Sequence, residues 1–234
     1  MYPAAGNHDG ADAEASDDRR QLADNFHLDA RFGPRVAAGR ASLDRGLFYA
    51  LRLGALLEIV CVDTSWGEAE GVHDFETEPA QDWLARVLPP SGGAGPFPVW
   101  RVPFSHHPAY CAGPHHGNMP ELIERVLPLY HRAGVRLVLS GHEHNFQHGL
   151  VDGIHHVVSG AAGKLEDEPP CRWDDGGTVA WASEPHCLLV EVGPDRIVIT
   201  PYGPSAKDGE SSPIQLLDRD GRPAGRHVVI ERET

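Results

Sequence analysis

Fifteen histidines run through this 234-residue chain, and three short stretches place them where they could bind metal or act on an ester. Gly141-His142-Glu143-His144 sets two imidazoles two residues apart behind a glycine, a position where the backbone turns sharply. Such a pair can point toward one or two metal ions. Ser105-His106-His107-Pro108 supplies another pair, and Gly6-Asn7-His8-Asp9 adds three further groups. An asparagine oxygen is a usable ligand for a hard or borderline divalent ion. The Asp9 carboxylate could orient the His8 imidazole and hold it protonated. Singly these motifs are weak, since His-x-His arises by chance in so histidine-rich a chain and Asn-His-Asp alone reads as a polar turn.

Position gives them weight. Residues 48–53 and 56–63 read as strands separated by Gly54, the second apolar almost throughout and so buried on both faces. It ends on the polar break Asp63-Thr64-Ser65. Helical spacing of Trp83, Leu84, Val87 and Leu88 predicts a helix over 79–88, with Pro79 near its start. A strand over 99–104 runs into Ser105-His106. An amphipathic helix is expected over 120–133, closed by Gly134, and a buried strand over 135–139 leads at once to Gly141-His142. Strand, helix and strand between two histidine loops make a βαβ unit. In such a sheet ligands gather at the carboxyl ends of the strands. Further strands are expected at 153–159 and at 187–192 paired with 197–201. Arg219-Asp220-Gly221-Arg222 reads as the turn of a terminal hairpin. Residues 1–10 read as a loop, and 11–20 as a solvated helix or loop.

Gly6-Asn7-His8-Asp9, Ser105-His106-His107-Pro108 and Gly141-His142-Glu143-His144, in that order, resemble the calcineurin-like metallophosphoesterases, and within them the purple (tartrate-resistant) acid phosphatase branch. Cys61-Val62-Asp63-Thr64, Gln81-Asp82-Trp83-Leu84 and Val158-Ser159-Gly160-Ala161-Ala162-Gly163 are similar to that branch as well, so the likeness spans roughly residues 1–200. It implies an α/β fold of the metallophosphoesterase type, an α/β/β/α sandwich with two mixed sheets. The implied domain covers 1–205, N-terminally incomplete with its first strands missing, and 206–234 forms a tail or hairpin.

The resemblance also implies roles. Asn7, His106 and His142 would serve one metal and His144 the other, with His106 preferred to His107 because the family's ligand stands two residues before the proline. His8 would meet the phosphate or leaving group with Asp9 behind it, and His116 is the substrate-facing histidine of Pro114-His115-His116-Gly117, a loop that reads equally well as solvated. Two cations 3.5–4 Å apart, roughly, clamp phosphoryl oxygens and lower the pKa of a water. A protonated His8 or His116 could then assist the leaving oxygen. The implied activity is hydrolysis of a small phosphate monoester, with a phosphodiesterase or nucleotidase, or a non-catalytic metal-binding remnant, as alternatives. In this branch ferric iron is paired with iron, zinc or manganese. The family's Asp-x-His/Gly and Gly-Asp-x-x-Asp/Tyr motifs precede Gly-Asn-His-Asp, whereas only five residues precede Gly6 here. Met1 therefore reads as an internal methionine of a longer protein, and the bridging carboxylate is expected upstream.

Composition agrees with a globular enzyme: 41% hydrophobic and 23% charged residues leave no case for bulk disorder. A net charge of −14 opposes nucleic-acid binding by counterion release. No apolar run approaches the length of about 20 residues that spans a bilayer. Export would need a signal peptide upstream of Met1. Four cysteines without a CxxC leave pairing open, Cys171 with Cys187 being conceivable. His148, His155 and His156 read as exposed strand or loop histidines.

Overall fold

The computed structural model describes residues 2–9, 26, 48–65, 73–92, 98–205, 207 and 209–232. The stretch 11–20 lies outside them. Chain order gives β1 (Tyr49–Leu53), β2 (Leu57–Val62), a 3-10 turn (Asp74–Glu76), α1 (Glu78–Val87), β3 (Trp100–Ser105), α2 (Pro120–Arg125), α3 (Leu127–Ala133) and β4 (Leu137–Ser140). There follow β5 (Phe146–Val151), β6 (Ile154–Ser159), β7 (Thr178–Ala182), β8 (Cys187–Val192), β9 (Arg196–Pro204), β10 (Ser211–Pro213), β11 (Leu216–Leu217), β12 (Pro223–Gly225) and β13 (Val228–Glu231).

The larger sheet is mixed, with strand order β1-β2-β3-β4-β6-β5-β7-β11-β12. Its centre is parallel across β2, β3, β4 and β6, and its flanks are antiparallel. The second sheet is built around the long β9, which pairs antiparallel with β8, β10 and β13. The expected turn at 219–222 lies between β11 and β12, where Asp218 N–H donates to Arg222 O.

Two apolar layers follow from strand alternation. One face of the large sheet turns Val60, Val62, Val138 and Ile154 toward the helices, where they pack with Trp83, Leu84, Leu122, Val126 and Tyr130. The other turns Trp100, Val102, Leu137 and Val157 toward Ile197, Ile199, Val228 and Ile230 of the second sheet. The result is an α/β sandwich with its central sheet buried on both faces.

Three local expectations are corrected. The single helix over 120–133 is two, because Pro128 has no N–H for the carbonyl of Glu124 and its ring crowds that turn; α2 ends and α3 begins around Val126. Strands β5 and β7 leave no pattern in the sequence, since Gln147, His148 and Gly149 break the alternation that marks a strand. His148, His155 and His156 are not exposed. His156 is buried against the Tyr110 ring, and His148 stacks on His155 with their Nε2 and Nδ1 atoms 2.9 Å apart. All four cysteines are free thiols.

Candidate metal centre

Three adjacent parallel strands, β2, β3 and β4, end on the same edge of the large sheet. Each is followed by a loop that carries a polar group of the site. After β2 comes buried Thr64, after β3 the pair His106 and His107, and after β4 Gly141 with His142. The N-terminal segment is fastened beside them. Tyr49 Oη donates to Pro3 O (2.7 Å), and Ser65 Oγ donates to Ala5 O (2.8 Å). These bonds bring Asn7 to the ends of β2 and β3.

The central contact is threefold. His106 Nε2 lies 2.9 Å from Asn7 Oδ1 and 3.0 Å from His142 Nδ1. Two donors about 2.1 Å from one ion at right angles, as in octahedral coordination, stand about 3 Å apart, so this spacing matches neighbouring ligands of one ion. The donor types, one amide oxygen and two imidazoles, suit a borderline transition metal. Burial lowers His106 to about 4, against the pull of Asp9, and lowers His142 to about 3 with its neighbouring imidazoles adding to the effect. Both rings are therefore neutral near pH 7, the form that ligates metal.

His142 adopts φ 69°. A non-glycine residue in that region costs about 1–3 kcal/mol and is tolerated where the surroundings fix it. Here the turn aims Nδ1 at His106, while Glu143 on the next position plunges into the interior at 1% relative exposure or less.

His107 is held differently. Its backbone N–H donates to Thr64 Oγ1 (2.9 Å), and its Nδ1–H donates to Thr64 O (3.1 Å). Burial drives its pKa down to about 2, and its ring lies 4.3 Å from that of His142, centre to centre. His106, His107 and His142 thus form one group with ligand atoms within 4.8 Å of one another, and no carboxylate belongs to it among the described residues.

The remaining expected site residues surround this group. His116 brings its ring centre to 3.8 Å from that of His142. His144 is half-buried, and burial lowers its pKa, with Lys164 adding to the shift. Its carbonyl accepts the Glu166 N–H at 2.8 Å. His8 and Asp9 are exposed. Asp9 Oδ2 accepts the Gly6 N–H (2.9 Å) and Asp9 N–H donates to Gly6 O (3.0 Å), so Asp9 closes the turn that presents Asn7. Beside His116, a cleft of about 290 Å³ is lined by His73, His107, His115, Met119, Glu121 and His142 among others. At its rim His115 Nε2 faces Glu166 Oε1 at 3.1 Å, with Glu168 close by.

The sequence gives no role to Thr64, Glu143 or Arg172, and His107 is set aside there in favour of His106. Thr64 was legible as a polar residue at a strand end. Arg172 carries no sequence signal, because its bonds to Gly113 O and His116 O depend on a loop folding back from more than 50 residues downstream.

Residues 1–146 match the calcineurin-like phosphoesterase family, and the chain belongs to it. Within that family its likeness runs to the purple acid phosphatases. Purple acid phosphatase 17 of Arabidopsis thaliana is 37% identical over 67 residues, which are 28% of this chain and 20% of that protein. The purple acid phosphatase PPD1 from yellow lupin seeds superposes with a TM-score of 0.56 at 14% identity, over 80% of this chain and 33% of its own. GAP50, the anchor in the inner membrane complex of Plasmodium, gives a TM-score of 0.56 at 16% identity, over 70% and 52%. The chain therefore spans about half or less of the length of these relatives. No helix among the described residues is long and apolar enough to cross a membrane.

Proposed function

We propose that this chain carries one half of a two-metal centre that hydrolyses small phosphate monoesters. The observation that carries the reading is the convergence of Asn7 Oδ1 and His142 Nδ1 on His106 Nε2. Asn7, His106 and His142 would hold one ion, and His144 would serve a second. Iron paired with iron, zinc or manganese fits the branch that the chain resembles. Bound ions would supply Lewis-acid stabilisation to the phosphoryl oxygens and ease deprotonation of a water.

The chain's own residues do the rest. His107, tied to Thr64, fills the space behind His142 and keeps that ring from swinging away. His116, its ring centre 3.8 Å from that of His142 and tilted against it, would give a leaving oxygen a proton or hydrogen bond. His8, exposed in the Asn7 turn, would meet the phosphate or leaving group. The cleft of about 290 Å³ beside His116 suits a compact leaving group.

Turnover tests this reading. The chain, together with any N-terminal extension encoded upstream, is loaded with iron, zinc or manganese and given p-nitrophenyl phosphate and bis(p-nitrophenyl) phosphate. Preference for the monoester, lost on chelation, supports the proposal. Preference for the diester makes it a phosphodiesterase on the same scaffold. Tight metal binding without turnover of either makes it a binding protein.

A further inference from the structure

Glu143 stands between the two histidines of the Gly141–His144 loop, and nothing in the proposed chemistry uses it. It is buried to 1% relative exposure, a costly place for a carboxylate unless it is bonded. Its Oε2 accepts the backbone N–H of His116 at 3.1 Å, across 27 residues of sequence. Space is cleared for it on two sides. A Cβ on Gly113 would lie 2.2 Å from Glu143 Cδ, and one on Gly160 would lie 2.1 Å from Glu143 O, both impossible contacts.

The His116 loop is gripped from its other side as well. Arg172 Nη1 donates to Gly113 O and, at 3.3 Å, to His116 O. The N–H groups of Cys171 and Arg172 both donate to Ala112 O. The segment from Ala112 to His116 is thus held at its carbonyls by one strand-connecting loop and at an N–H by the loop that bears His142.

We propose that Glu143 is a positioning residue that locks His116 to the metal-ligand loop, with Arg172 as the opposing jaw of the clamp. It touches no substrate. It fixes how far the His116 ring stands from His142, and so whether that ring reaches a leaving oxygen. The catalytic consequence rests on the phosphatase reading; the clamp itself does not.

Two measurements on the full chain separate these. Amide hydrogen exchange at His116 reads the clamp directly, and turnover of p-nitrophenyl phosphate against glycerol phosphate reads its consequence, since only the poor alkoxide leaving group needs His116 strongly. Glu143→Ala removes the acceptor, whereas Glu143→Gln keeps an oxygen in the same place. In Glu143→Ala the His116 amide exchanges about tenfold faster or more, as loss of one buried hydrogen bond requires. Glu143→Gln stays within about threefold of the parent. The Ala variant also loses about tenfold more activity on glycerol phosphate than on p-nitrophenyl phosphate, and adding His116→Ala to it costs little more. If Glu143→Ala does not fold, Arg172→Met serves, with faster His116 exchange and the same bias between esters. Unchanged exchange in a folded Ala or Met variant, failure of Gln to rescue, or equal losses on both esters overturns the proposal. Absence of turnover by the parent chain overturns the phosphatase reading alone, and the exchange result still decides the clamp.

Discussion

Asn7 and His106, 99 residues apart in the chain, meet through Oδ1 and Nε2 at 2.9 Å. The contact joins the N-terminal turn to the carboxyl end of β3, and His142 completes it from the end of β4. The proposed metal centre depends on that meeting point, so the surrounding supports should be sensitive to substitution.

Thr64 is the first support. Its hydroxyl accepts the buried His107 N–H, and a valine of the same shape would leave that donor unpaired. Thr64→Val should destabilise the chain by about 1–3 kcal/mol. Urea unfolding should show a lower midpoint at unchanged slope. An unchanged midpoint would mean the bond carries nothing.

Gly160 is the second. A methyl group there would collide with the Glu143 carbonyl at 2.1 Å, and backbone cannot yield as a flexible side-chain tip can. Gly160→Ala should cost at least about 2 kcal/mol and weaken metal binding with it, because the displaced residue lies between His142 and His144. Calorimetry with zinc on the folded fraction would show wild-type affinity if the loop were free to adapt.

Acid should unfold the metal-free chain early. Burial lowers His148 to about 4 and His156 to about 3, and His156 Nε2 has no hydrogen-bond partner among the described residues. Both folded pKa values lie below the unfolded value of about 6.5, so the unfolded state takes up more protons and stability falls as pH drops below that value. Each such histidine contributes a slope of about 1.4 kcal/mol per pH unit between the two pKa values. The midpoint temperature should be flat above pH 7 and decline from pH 6.5 toward 4. His156→Phe, which keeps the ring against Tyr110, should flatten that decline; an unaltered slope would show that His156 already protonates freely in the native state.

The parallel heart of the sheet was legible in sequence because its strands are short apolar runs that end on polar loops. Position after a buried strand also gave His106 and His142 their weight. Strands β5 and β7 were illegible for the opposite reason. Gln147 is buried to satisfy Ala112 N–H and Asn145, and His148 to pair with His155, so polar residues occupy places where alternation predicts apolar ones. Pro128 was visible, but the apolar stripe of Leu122, Val126, Leu127 and Tyr130 continues across the break and masked it. Nothing in His-x-His marks Glu143 as buried; only the return of the His116 loop makes it an anchor.

The most direct test is to locate a metal. A crystal of the chain loaded with zinc, measured at the zinc absorption edge, should show an anomalous peak about 2.1 Å from Asn7 Oδ1, His106 Nε2 and His142 Nδ1 together. A chain that binds zinc elsewhere, or whose Asn7→Ala and His106→Ala variants bind it as tightly as the parent, would contradict the account.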